Sequence, residues 1–196
     1  MKCKANQRGM TMVEVMVAVF VLSVGLIGIA KLQVTSKQNN FDALQRITAA
    51  TLAYEIIERM RANPSNLGGY VSANGTLMLN TNTITDEPSP NCSDSSTCIG
   101  EELAAHDLWD FQQALSGVTE KNGDNNTGGL DSFTACISGP STGAAGVYTV
   151  AIVWRGRTAL SNPTNNNCGA TSGLYGDNNE YRRVAQFVSY IDNQDL

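Results

Sequence analysis

Apolar positions are concentrated at one end of this chain. From Met10 to Ala30 only Glu14 carries a charge, a run of 21 residues. At about 1.5 Å per residue such a run crosses a hydrocarbon core of about 30 Å as a helix. Lys31 ends it, and Lys2, Lys4 and Arg8 precede it. Basic residues on the amino side place that side in the cytoplasm by the positive-inside rule. A cleaved secretory signal has a shorter apolar core with a small-residue cleavage site behind it. This run is longer and no A-x-A pattern follows. A plain anchor leaves Glu14 unexplained, because a carboxyl deep in the bilayer costs about 2.5–3.5 kcal/mol, less near the interface.

The helical pattern does not stop at Lys31. No proline occurs until Pro64, and a residue before proline is pushed out of the helical region, so the helix is expected to end by Asn63. Thr48, Thr51, Glu55, Glu58 and Arg59 project onto one sector about 100° wide. Ile47, Ala49, Ala50, Leu52, Ala53, Tyr54, Ile56, Ile57 and Met60 cover most of the rest. That stripe is wider than one sheet needs, which suits a helix packed on its own head and on other helices. Arg59 and Arg61 fall in the last turn, where a solvated end favours cations through the helix dipole. Gly25 and Gly28 lower helix propensity. They mark either a flexing point or close packing of small residues in a membrane.

After Pro64 the pattern changes. "PSNLGGY" reads as a linker or turn, and Thr76–Leu79 as a short strand. Glu87–Gly100 carries two prolines and two cysteines and reads as a pinned loop. Leu103, Leu108, Phe111 and Leu115 recur near helical spacing, with Gly117 placed to cap. Leu130–Ser138, Gly146–Arg155 and Glu180–Ile191 read as strands, separated by segments rich in Gly, Asn, Ser and Pro. Both alternating faces of Tyr148–Trp154 are at least partly apolar, as in a central strand. The expected fold class is α+β: a long amino-terminal helix whose carboxyl half packs on a small antiparallel sheet, with an extra helix before the sheet. Residues 10–30 are expected to form the membrane half of the helix, 31–63 its amphipathic half and 64–196 the head, with residues 1–9 a short hydrophilic segment ahead of them.

Charge removes one class of function. The formal net charge is −5, and no basic residue lies between Arg61 and Lys121. No basic patch is available to neutralise phosphates, so nucleic acid is not an expected partner. Cysteine usage indicates the compartment. Cys92, Cys98, Cys136 and Cys168 all follow the apolar run, an even set on one side of a membrane segment, which suggests two disulfides in an oxidising space. Three connectivities are open. Cys92–Cys98, a local loop, with Cys136–Cys168, tying a strand to a later loop, is the favoured one. A zinc site would need close ligand pairs, and the chain holds a single histidine.

Nothing in the head points to catalysis or a cofactor. His106 sits in the expected second helix beside Asp107, without a nucleophile motif. "NGDNNTGGLD" (Asn122–Asp131) lacks the spacing of a calcium loop, and it and "GDNNE" (Gly176–Glu180) read as solvated turns. Trp109 and Trp154 lie on apolar faces, where core packing is the default.

"RGMTMVEV" (Arg8–Val15) resembles the processing site of type IV prepilins: a short hydrophilic leader ending in Gly9, then Met10, the carboxylate Glu14 and an apolar helix. The resemblance implies that a prepilin peptidase cuts after Gly9 on the cytoplasmic face and methylates the new amino terminus, Met10. Phe is usual in that family where this chain has Met10. Cleavage removes Lys2, Lys4 and Arg8 and takes the formal charge from −5 to −8. It also implies that Glu14 neutralises the freed amine of a neighbouring subunit during assembly, two charges costly to bury singly becoming a pair.

"VGLIGIAKLQ" (Val24–Gln33) and "AYEIIERMRANP" (Ala53–Pro64) are similar to PilV-type minor pilins, and "AAHDLWDFQQAL" (Ala104–Leu115) and "YTVAIVWRG" (Tyr148–Gly156) follow in the same order. The likeness is specific from Arg8 to Pro64 and looser beyond. It implies a subunit held in the inner membrane with a periplasmic head, then placed in a pilus. Its partners would be other minor and major pilins and the inner-membrane assembly machinery. A minor pseudopilin of type II secretion would share the processing site, and a bitopic periplasmic enzyme or sensor is the alternative of another class. The sequons at Asn74 and Asn91 mean little in the bacterium that such a leader implies.

Overall fold

The computed structural model describes residues 9–83, 86–93, 97–118, 120–123 and 125–193. Most of the expected leader, with Lys2, Lys4 and Arg8, lies outside the described residues. The chain divides into two compact units, Met1–Phe41 and Asp42–Leu196.

Helix α1 spans Met12–Ala62. Its first part, to Phe41, forms the described body of the first unit, and an apolar window there is long enough to cross a membrane. The helix runs through Gly25 and Gly28 without a break, and beyond its own backbone a Cβ on either would meet nothing within 4 Å among the described residues. Pro64 stops it. Asn63 leaves the helical region at φ −127° and ψ 57°, as steric conflict with a following proline ring requires.

In the second unit, α1 contributes Ala49, Leu52, Ala53, Ile56, Ile57 and Met60 to the core, all buried. The broad apolar stripe is therefore divided. Ile47 and Tyr54 stay 62% and 59% exposed. The "PSNLGGY" stretch is more than a linker: Pro64–Tyr70 forms a 3-10 segment that buries Leu67 and Tyr70. Gly69 lets it approach the second helix closely, since a Cβ there would lie 2.8 Å from the Ala104 Cβ.

The sheet consists of β1 (Thr76–Asn80), β4 (Thr134–Ser138), β5 (Gly146–Arg155) and β6 (Arg182–Ile191), in the order β1-β4-β5-β6 with every pair antiparallel. A separate small hairpin pairs β2 (Lys121–Asn122) with β3 (Asn125–Asn126), where the sequence suggested only a turn-rich loop. Strands β4 and β6 begin later than their apolar patterns do. Ser132 at φ 50° and Asn179 at φ 55° are left-handed turn residues just ahead of them.

Strand β5 is central, and its alternation serves two cores. Tyr148, Val150, Ile152 and Trp154 join the core that includes α1. Ala151 and Val153 pack with Cys136, Cys168 and Tyr175 on the other side. Cys136 on β4 is bonded to Cys168, and Cys92 to Cys98. Arg182 is almost wholly buried there. Its guanidinium donates to the carbonyls of Cys168, Pro163 and Asn166 and to the Asn162 side chain, so neutral oxygens tie the long β5–β6 connection down.

Helix α2 (Gly100–Ser116) precedes three of the four main strands. The Glu102 carboxylate accepts the Ile99 N–H at 2.9 Å, and Gly117, at φ 69°, closes the other end in the left-handed conformation.

Candidate functional site

Gly9 and Met10 are exposed and precede the helix, so the bond between them lies in non-helical chain. Among the described residues, a Cβ at Gly9 would meet nothing within 4 Å, so they make no steric demand for glycine there.

Glu14 stands in the first turn of α1. Its Oε2 accepts the Thr11 backbone N–H at 2.9 Å and the Thr11 hydroxyl at 3.0 Å. The Thr11 hydroxyl oxygen lies 3.3 Å from the Glu14 N–H, which donates to it. This is a capping box, a Thr-x-x-Glu reciprocal that satisfies orphan N–H groups at a helix start. Thr11 was not among the residues singled out from the sequence, although "TMVE" ahead of an apolar run is the signal for it. One carboxylate oxygen, Oε1, has no partner among the described residues, and the Met10 N–H does not reach the group. The site thus offers a fixed carboxylate, four residues beyond Met10 at the expected cleavage point, with acceptor capacity left over.

In the second unit the "ERMRANP" segment builds a polar seat for α2. Arg59 donates to Glu55 at 2.9 Å, to Asp107 at 2.9 Å and to Asp110 at 3.0 Å. Burial alone disfavours its charge, but the bonds from Asp107, Glu55 and Asp110 outweigh that and hold its pKa above the ordinary arginine value. Tyr70 donates to the other oxygen of Asp107, and burial first, then that carboxylate, raises the phenol's pKa. Asn63 donates to the Gly100 carbonyl at 2.7 Å. Arg59 is thus more than a cation on a solvated helix end. Arg61 is closer to that description, exposed and bonded to Glu58 and Ser189.

His106 is buried on α2, 3.6 Å from Asp110, with its Nε2 unpartnered among the described residues. Trp154 packs in the core and Trp109 is half-buried against the His106 ring. Among the described residues no group of three or more His, Cys, Asp or Glu side chains gathers as a metal site would require.

Residues 31–109 match the Tt1218-like family, described as type IV pilin Tt1218. Residues 4–30 match the prokaryotic N-terminal methylation motif. No curated protein and no solved structure matches the chain. The first match takes in Arg59 and Asp107 and ends just before Asp110, and the second takes in Gly9, Met10 and Glu14.

Proposed function

We propose that this chain, of the type IV pilin family over its matched amino-terminal half, is a minor pilin of the PilV type that takes part in pilus assembly. The observation that carries the reading is the amino-terminal geometry: an exposed Gly9–Met10 bond, then Glu14 fixed by Thr11 at the start of an apolar helix. A prepilin peptidase cuts after Gly9 and methylates Met10. The helix from Met10 to about Ala30 holds the subunit in the inner membrane, with residues 31–63 and the head, including the Cys92–Cys98 and Cys136–Cys168 bridges, on the periplasmic side. Disulfides in the second unit support that side as the oxidising one.

Assembly then follows from electrostatics. The freed amine of a neighbouring subunit is a cation at the membrane edge, and the open oxygen of Glu14 receives it. Each charge offsets the desolvation of the other. Gly25, Gly28 and the exposed Ile47 and Tyr54 supply helix faces for neighbouring pilins. Partners on this reading are other minor and major pilins, the peptidase and the inner-membrane assembly machinery, and no cofactor enters.

Mass spectrometry of the protein from peptidase-competent cells tests it. A methylated Met10 amino terminus is expected, and an intact leader would sink the reading. Glu14→Ala is expected to leave processing and membrane insertion intact while incorporation into pili falls. A surrounding secretion operon in place of pilus genes would assign the subunit to the type II secretion system.

A further inference from the structure

The two edges of the sheet are finished differently. Strand β1 has five residues, and Gln112 of α2 reaches across to the carbonyl of Asn80 at 3.4 Å and of Thr83 at 2.7 Å. Short length and a covering side chain are ordinary ways to blunt an edge. Strand β6 has ten residues, and from Val184 to Ile191 it holds no charge, proline or bulge.

Its register identifies which backbone groups face outward. Gly156 donates to the Tyr181 carbonyl, so the odd-numbered residues of β6 exchange hydrogen bonds with β5. Val184, Gln186, Val188 and Tyr190 then direct N–H and C=O away from the sheet. Among the described residues, only the Tyr190 carbonyl finds a partner, the Ser189 hydroxyl at 3.3 Å. Val188 and Tyr190 are also 60% and 63% exposed.

The edge leads into a cavity. Near the start of β6, Leu160 donates to the Glu180 carbonyl, so the chain before the strand already runs beside this edge. A cavity of about 560 Å³ opens there, lined by Arg46, Trp154, Leu160, Pro163 and Arg183, with Asp42. Among the described residues Arg183 bonds only to neutral oxygens, of Thr158, Glu180 and Arg182. Arg46 has no hydrogen-bond partner among the described residues. Among the described residues Asp42 is the one carboxylate lining the cavity, and it accepts the Arg157 N–H. The cavity is an apolar floor under a positive balance.

We infer that β6 takes an extended segment of a partner protein as a fifth, antiparallel strand, whose terminal carboxylate seats beside Arg46 and Arg183. Antiparallel pairing brings the carboxyl end of the guest to the Arg182 end of β6, where the cavity lies. Apolar side chains at alternate guest positions cover Val188 and Tyr190 on the outer face. This surface is separate from Glu14, and it stands whether or not the chain enters a pilus.

The test uses the full processed chain in detergent micelles. The probe is a synthetic octapeptide alternating threonine and valine, ending in aspartate with a free carboxylate. Amide exchange at Val184, Gln186, Val188 and Tyr190 is expected to slow by about tenfold or more at saturation, while Val150 inside the sheet is unchanged. The peptide N-methylated on its pairing amides is expected to lose binding. Its carboxamide, with asparagine for aspartate, is expected to bind about five- to tenfold more weakly, and Arg46→Glu to reproduce that loss. No slowing at the four amides overturns the proposal, as does equal binding of the N-methylated peptide. Protection that appears without peptide and grows with protein concentration would assign the edge to a second copy instead. Equal affinity of the carboxamide would overturn the role of the cavity.

Discussion

Arg59 and Asp107 lie 48 residues apart in sequence and 2.9 Å apart in the fold. One closes the last turn of α1 and the other faces inward from α2, so their contact joins the two helices of the second unit. Asp107 is nearly buried, and its second oxygen is taken by Tyr70.

Removing Arg59 strands that carboxylate. A buried charge left without its counter-ion costs about 3–5 kcal/mol, and the partial exposure of Arg59 reduces the expected cost of Arg59→Ala to about 2–3 kcal/mol. Asp107→Asn is expected to cost less, because the amide oxygen still accepts one bond. The double variant should be less destabilised than the sum of the two. Urea unfolding of the four proteins measures this, and strict additivity would show the pair to be uncoupled.

This cluster also shows how far the sequence could be read. The apolar spacing of Phe111 and Leu115 placed α2, but His106, Asp107 and Gln112 are buried on the same helix. Helical periodicity assigns polar residues to solvent. The partners of Asp107 and Gln112, namely Arg59, Tyr70 and the Thr83 carbonyl, come from segments far away in the chain, and no local pattern predicts that. Gln45 is similar, buried on α1 and bonded at both ends of its amide to Gly129 and Asp131. Strand β5 was legible because both of its faces are apolar, which only a central strand requires. The amino-terminal site was legible as Gly9, Met10 and Glu14, while the capping role of Thr11 was written in "TMVE" and passed unread.

The two disulfides should differ in worth. Cys92–Cys98 closes a separation of 6 residues and Cys136–Cys168 one of 32. Chain entropy alone gives about 2 kcal/mol for the first and about 3.5 kcal/mol for the second. Cys136 and Cys168 also pack against Tyr175 and Val153, so their loss loosens the second core. Paired Cys→Ser variants, compared by thermal unfolding under oxidising conditions, should fall in that order. A larger loss on opening Cys92–Cys98 would contradict it.

Alkaline pH should weaken the second core through Tyr175. Its hydroxyl donates to the Ser132 carbonyl at 2.9 Å and lies 2.8 Å from the Thr134 hydroxyl. Burial pushes its pKa up to about 12 from the usual 10, and the Thr134 bond offsets only part of that. The folded state therefore holds the phenolic proton more tightly than the unfolded chain does. That contribution is complete below pH 10 and is lost as pH rises through about 12, with an expected size on the order of 2 kcal/mol. Unfolding midpoints measured from pH 8 to pH 12 should drop across the upper part of that range. Tyr175→Phe should flatten the drop, and an unchanged slope would place its origin elsewhere.

The amino-terminal site allows its two roles to be separated. Glu14 caps its own helix through Thr11, and on the proposed function it also pairs with a neighbouring amine. Thr11→Val removes the hydroxyl and leaves the charge. Glu14→Gln keeps a side-chain acceptor for the Thr11 N–H and removes the charge. If pairing drives assembly, Glu14→Gln lowers incorporation into pili by about tenfold or more, since the incoming amine then meets no counter-charge in a low-dielectric setting. Thr11→Val then keeps most of its incorporation, with the first helical turn frayed. If capping alone matters, the order reverses: Thr11→Val fails and Glu14→Gln, whose amide oxygen still accepts the Thr11 N–H, keeps its incorporation. Both proteins should be cleaved after Gly9 and recovered from the membrane at normal levels, so the comparison of shed pili with membrane pools reads assembly alone. Loss in Thr11→Val beside normal incorporation of Glu14→Gln would transfer the function of Glu14 from the neighbouring subunit back to its own helix.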